Sequence, residues 1–360
     1  MKFPKSPSIG FHLIWTGLVL NALILLVLSN SPDWIETHYS RWLYPHITAI
    51  LSGFSALVPF SFTEIGLYLL ILSFLVSVVL IFRDRSRWRK IVRGWLIGVI
   101  WLVTWFYLAW GLNYFRKPLS RQLSLSIAQV DTTALIEAFE RCVQEANRLS
   151  ESRQPLPVHT IDRDIETGIQ QLQEALPFIS SAGKRRPKHL FLNFWLNKTL
   201  TTGFFSPIFH EVHLNAELLD IEYPFTLAHE KFHQLGFANE AEANFLAFLV
   251  CASSRHELIR YSAFLAAVRY LGARARLTLR DYDRYAAKIA PPVRRDFERI
   301  RKRWLRHTGR ISRISRKTYD HYLKMNKIKE GMENYAGMVE LVIGYWLPRA
   351  RRQNGSLPQK

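Results

Sequence analysis

The chain has 360 residues, room for about two domains, and an ordinary apolar fraction of 49% that is spread very unevenly. Its net charge of +19 raises nucleic acid as a partner, but no nucleic-acid motif accompanies the basic runs, so that class is set aside. Two cysteines far apart, Cys142 and Cys251, say little about a disulfide, and Cys251 lies in an apolar helical run where small core residues are common.

Three apolar runs come first in the chain: Phe11 to Ser29, Thr63 to Phe82, and Trp95 to Gly111 within a helix expected over 93–111. Each approaches the ~20 residues that cross a bilayer. Three such runs in the first third read as transmembrane helices rather than buried core helices. Lys2 and Lys5 ahead of the first run also suit a signal peptide. The lack of a convincing cleavage site, and the two runs that follow, favour an uncleaved anchor. Leu43 to Phe60, interrupted by Pro45, Gly53 and Pro59, reads as re-entrant or interfacial; if it spanned, the topology would invert. The loop Arg83 to Lys90 is short and strongly basic, which places it in the cytoplasm together with Lys2 and Lys5. Three spans then put everything after Gly111 outside the cytoplasm. Trp15, Trp34, Trp42, Trp101, Trp105, Tyr107 and Trp110 cluster near the span ends as an aromatic belt would. The expected partition is a membrane domain over 1–112, a second domain over 113–346 and a basic polar tail over 347–360. A second basic run, Arg294 to Lys317, reads as a solvated helix face near anionic headgroups.

Helical periodicity marks Thr133 to Leu149, with Leu135, Ile136, Phe139 and Cys142 on one stripe, and Asp162 to Ala175 looks like a further helix. Gly183 to Lys188 is a basic turn, and Lys188 to Leu196 is a strand or a buried helix start. Thr202 to Asn215 alternates through Ile208, His210, Val212 and Leu214, the pattern of a strand. On such a strand His210 and His213 point to opposite faces and do not share a metal. His210, Glu211 and His213 then read as ordinary polar strand residues.

His229-Glu230-Lys231-Phe232-His233 is an HExxH sequence. On a helix, positions four apart share a face, so both imidazoles reach one Zn²⁺ and Glu230 stands beside it as a base for bound water. The helix has readable ends: Pro224 in its first turn, or Thr226 as its cap, and Gly236 as its stop. A third ligand follows in Asn239-Glu240-Ala241-Glu242-Ala243-Asn244. Asn239 reads as an N-cap, which gives Glu242 a capping-box role and leaves Glu240 without one. Glu240 is therefore the first candidate ligand and Glu242 the alternative, with Asn244 supporting Glu240 from one turn on. By analogy with zincin folds, the strand carrying Phe204, Phe205, His210 and Glu211 would run beside this helix and pair with a peptide substrate.

The segment from Glu240 to Phe248 resembles the E-x-E-A-D/N stretch of membrane-bound gluzincins related to the CAAX-processing and heat-shock membrane proteases. That resemblance implies Glu240 as a zinc ligand and Asn244 as its support, with Asn standing where those families carry Asp. A closer resemblance is to an uncharacterised bacterial membrane-protein family, domain-of-unknown-function family 3810. It runs through Trp110–Pro118, Pro224–Phe237, Glu242–Phe248 and Gly331–Gly337. It implies a zinc metallopeptidase in the bacterial cytoplasmic membrane. Lys231 departs from the small or apolar residue usual inside the motif, which brings solvent or the membrane surface close to that face.

Together these features imply a mainly α protein: N-terminal transmembrane helices, then an α+β zincin-like domain with a small edge-strand sheet beside the HExxH helix. The expected activity is zinc-dependent peptide hydrolysis, with Glu230 as base and Tyr335 as a candidate for holding the oxyanion. Tyr335 reads more readily as a structural aromatic. The alternative is a non-catalytic zinc-binding membrane sensor or envelope assembly protein. The expected partners are a peptide or protein substrate and the lipid bilayer.

Overall fold

The computed structural model describes residues 9–26, 28–125, 131–180, 182–325 and 335–348. The expected tail therefore lies outside the described residues from 349 onward, as do residues 331–334. The chain is mainly helical, about 75% helix against 3% strand. It divides into two compact units. One comprises 1–116 with 182–186 and 206–211; the other comprises 117–181, 187–205 and 212–360.

The first unit is built on α1 (Ile9–Leu26), α2 (Tyr44–Ser55), α3 (Phe62–Arg83) and α4 (Trp88–Ala109). Among the described residues, three helical stretches are long and apolar enough to cross a membrane: Ile9–Asn30, Phe62–Arg83 and Arg85–Ala109. At 1.5 Å per residue the 22 residues of α3 reach about 33 Å, enough for a hydrocarbon core of ~30 Å. α2 continues without a break from a π-helix over Ile35–Leu43, and this stretch is not among those long and apolar enough to cross, so among the described residues Leu43 to Phe60 adds no fourth span of this kind. α1 packs on α4, where Asn21 donates to Thr104 Oγ1 at 2.7 Å, the sort of polar tie that joins helices in lipid. Ser61 caps α3 by accepting from the Glu64 N–H. Beyond α4, Arg116 grips Glu36 through two 2.9 Å bonds, both side chains buried.

The second unit is a helical core. α5 (Thr132–Ser152) buries Leu135, Phe139, Cys142 and Leu149 against α10 (Glu257–Thr278). Ile136 on the same stripe is only half-buried. α6 (Val158–Ala175) packs on α8 (Tyr223–Gln234) and α9 (Glu240–Ala252). α9 is apolar nearly all round and buried nearly all round, as a central helix must be. Cys142 and Cys251 are separate buried thiols. α11 (Pro291–His307) joins α5, and α13 (Tyr335–Leu341) covers α9 and α10.

Three short strands, β1 (Pro187–Lys188), β2 (Gly203–Ser206) and β3 (Glu211–Leu214), form a sheet in the order β1-β3-β2. β1 runs parallel to β3, pairing Pro187 with Val212 and Lys188 with His213. The single strand expected over Thr202 to Asn215 is thus two strands. Pro207, which has no N–H to donate, opens a turn, and His210 closes it in the left-handed region at φ +51°. The segment after β1 also departs from expectation. Instead of entering a strand or a buried helix it exposes Phe191, Phe194 and Trp195, and a short α7 (Phe194–Thr199) follows.

Candidate metal centre

α8 begins with Pro224 in its first turn, where a missing N–H costs nothing, and Thr226 lies inside the helix rather than capping it. Gly236, at φ +86°, ends it. The Gly236 N–H bonds the His233 carbonyl at 3.0 Å and the Phe237 N–H bonds the Phe232 carbonyl at 3.1 Å. This is the paired bonding of a Schellman stop, and the Phe232 and Phe237 rings meet edge to face at 6.0 Å beneath it.

That corner also orients a histidine. The Phe237 carbonyl lies 2.8 Å from His233 Nδ1. In the neutral ring, with the proton held there, Nε2 presents a lone pair. His233 Nε2 stands 3.0 Å from His229 Nε2, one helical turn back. Two nitrogens on a tetrahedral zinc stand about 3.3 Å apart, so the pair is within a few tenths of an ångström of that spacing. His229 Nδ1 is buried with no hydrogen-bond partner among the described residues.

Asn239 caps α9 by accepting from the Ala241 and Glu242 N–H groups. The cap puts Glu240 in the first turn, with carboxylate oxygens 3.3 Å from His229 Nε2 and 3.5 Å from His233 Nε2. Among the described residues, His229, His233 and Glu240 form the one cluster of three or more metal-binding side chains, with ligand atoms all within 4.8 Å of one another. Glu242 is directed elsewhere: its carboxylate accepts the Leu119 N–H at 2.7 Å. Asn244 lies buried in the same cleft wall as Glu240.

The electrostatics fit a cation. Burial would raise Glu240, yet the His233 and His229 rings oppose it and hold this carboxyl well below the usual range. Burial would lower His233, but the Glu240 and Glu230 carboxylates push it up to about 9. Glu230 is buried, and burial raises its carboxyl, with Glu240 adding to the rise and His229 and His233 countering it; the Phe205 N–H bonds to it. β2 therefore runs directly beside α8 at this point, and a Cβ on Gly203 would lie 3.0 Å from Glu230 Cγ.

A cleft of about 210 Å³ opens on His229 and Glu240. Phe225 and Thr226 line it from α8, Leu265, Ala266 and Tyr270 from α10, and Phe297 and Ile300 from α11. Sequence reasoning missed these residues. The α10 set recurs at helical spacing and is indistinguishable from a core stripe without the neighbouring helices.

The remaining candidates sort differently. Phe204 and Phe205 lie on β2, an edge of the sheet. His210 and Glu211 do not belong to that edge. His210 is buried in the first unit, Nδ1 3.1 Å from Thr48 Oγ1 and its ring against Tyr44, and burial lowers it to about 4. Glu211 caps α3 instead, accepting from the Phe62 and Thr63 N–H groups at 3.0 and 2.9 Å and from the Thr63 hydroxyl at 2.7 Å. His213 stacks on Phe204 at 4.4 Å. Lys231 faces neither solvent nor membrane: it is fully buried, and its Nζ meets Asp162 at 2.5 Å and Glu166 at 2.6 Å on α6. Tyr335 opens α13, and its side chain lies outside the described residues.

A family model described as "Protein of unknown function (DUF3810)" matches residues 39–343. The chain belongs to that family. The match covers both histidines, Glu230, Glu240 and the cleft, together with the last two span-length helices. No curated protein and no solved structure matches the chain.

Proposed function

We propose that this protein is a membrane-anchored zinc-dependent peptidase whose metal is held by His229, His233 and Glu240. The reading rests on one observation: those three side chains converge at an open cleft, with the buried carboxyl of Glu230 beside them. Two imidazoles and one carboxylate suit a catalytic zinc that keeps a position open for water or substrate. Bound there, zinc supplies Lewis acidity to a scissile carbonyl and acidifies a water. Glu230 accepts the proton, and a carboxyl raised by burial is the better matched to that task near neutral pH. The Phe237 carbonyl keeps His233 in the tautomer that leaves Nε2 bare. The edge strand β2 offers backbone to an extended peptide, and the apolar wall of the cleft receives a side chain. A zinc that only held structure together would need neither Glu230 nor the cleft, which favours hydrolysis over sensing. In this reading the fold around α8 is zincin-like and lies outside the cytoplasm, because the basic loop Arg83 to Lys90 stays inside.

The deciding experiment compares proteins released from membranes of cells carrying the wild type or Glu230→Gln. Gln preserves shape and removes the base. The variant is expected to keep stoichiometric zinc and to lose cleavage of substrates that then accumulate. Cleavage that persists in a zinc-loaded Glu230→Gln protein rejects Glu230 as the base. Accessibility tags at the C-terminus and in the basic loop check the orientation.

A further inference from the structure

Far from the convergent histidines in sequence, the second unit carries a surface that the peptidase reading does not use. The segment between β1 and α7 turns its apolar side chains outward: Phe191 is 90% exposed, and Leu192, Phe194 and Trp195 are exposed with it. α7 packs on α11 and on α12 (Arg310–Met325). On α12, Ile311 and Ile314 are also exposed, the latter at 65%. Arg310 stands four residues before Ile314 and Lys317 three after, so both cations flank it on one face, and Arg313 adjoins. Lys198 lies over the Phe194 ring at 5.3 Å. Across Arg294 to Lys317 there are eleven lysines and arginines against two acidic residues.

We infer that this face docks on the surface of an anionic phospholipid bilayer. Large apolar tips ringed by long cationic side chains are what the headgroup boundary accepts: the tips enter the acyl edge and the cations stay with the phosphates. Each lysine or arginine so placed strengthens attraction to an anionic surface. Nucleic acid fits the charge and finds rings in Phe191, Phe194 and Trp195, but the exposed aliphatic tips Leu192, Ile311 and Ile314 offer no ring on which a base can stack, whereas the acyl edge accepts both kinds. A protein partner fits the tips but not so lopsided a charge, since interface cores are depleted of lysine. Connectivity favours lipid as well. The third span-length helix ends at Ala109 and the second unit begins at Lys117, only a few residues later in the chain.

The full chain carrying Phe191→Cys, labelled with an environment-sensitive fluorophore, tests this in nanodiscs. Cys142 and Cys251 are buried and leave the label selective. The probe lipids are phosphatidylcholine alone, or with phosphatidylglycerol added, each doped with a lipid bearing a shallow nitroxide. Quenching at position 191 by the nitroxide is expected, stronger in the anionic discs. A label at the exposed Gln170 on α6 should show none. Reversing Arg310, Arg313 and Lys317 to glutamate should reduce the docked fraction by about fivefold per charge before saturation. Two results overturn the proposal. One is a label at 191 as open to aqueous acrylamide in anionic discs as in detergent. The other is protection from acrylamide without nitroxide quenching, which would mean that protein covers the face. None of these readouts involves zinc or cleavage, so they stand or fall apart from the peptidase reading.

Discussion

His229 and His233 are four residues apart on one helix, while His210 and His213 are three apart across the end of a turn and the start of a strand. The first pair brings two Nε2 atoms to 3.0 Å with a carboxylate alongside. The second pair separates: His210 goes to Thr48 and Tyr44, and His213 lies flat on Phe204. Equal chemistry in close spacing converges here only where the backbone repeats every 3.6 residues. Where the backbone reverses, each ring is consumed by its own surroundings, and burial holds His210 neutral at ordinary pH.

The sharpest way to break this contrast is to delete the rings one at a time. His229→Ala or His233→Ala should abolish stoichiometric zinc in purified protein measured by elemental analysis. His210→Ala and His213→Ala should each keep it. Zinc lost on His213→Ala but retained on His229→Ala would reverse the assignment. The next largest effect concerns the back of the same helix. Lys231→Met leaves Asp162 and Glu166 facing each other without their cation. Both carboxylates reach water, so the loss of stability should fall near the lower end of the about 3–5 kcal/mol seen when buried pairs are broken. A lowered thermal midpoint with zinc still bound is the expected pattern, and an unchanged midpoint would deny Lys231 its structural role. The smallest effect belongs to the turn. Glu211→Gln should weaken the cap on α3 by about 1 kcal/mol, read as faster amide exchange at Phe62 and Thr63, without altering zinc content.

Much of the site was legible from local rules. Pro224, Gly236 and Asn239 mark helix ends through their own backbone chemistry, and the HExxH spacing needs only a helix to bring its histidines together. Glu240 could be separated from Glu242 only in part, because the cap explains one residue and leaves the other open. What was not legible depends on partners remote in sequence. Nothing near Lys231 in sequence announces Asp162 and Glu166, so from the sequence alone a lysine inside the motif points to nearby solvent rather than to a buried ion pair. The alternation from Ile208 to Leu214 is real, but Pro207 and a left-handed His210 fold it into a turn. Glu242 illustrates the same limit: a side chain suited to its own helix end instead secures the Leu119 N–H far back in the chain.

The corner at Gly236 has a consequence beyond ending a helix. The carbonyl that steadies His233 belongs to Phe237, the same residue whose N–H closes the stop on Phe232. One peptide corner is therefore shared between chain reversal and ligand presentation. Whatever loosens the reversal lets the imidazole swing, and whatever pins the imidazole tightens the reversal. In the proposed metal reading, cation uptake and local ordering there would form a single reciprocal equilibrium, so a substitution at the corner, touching none of the three proposed ligands, would still read out as altered metal affinity.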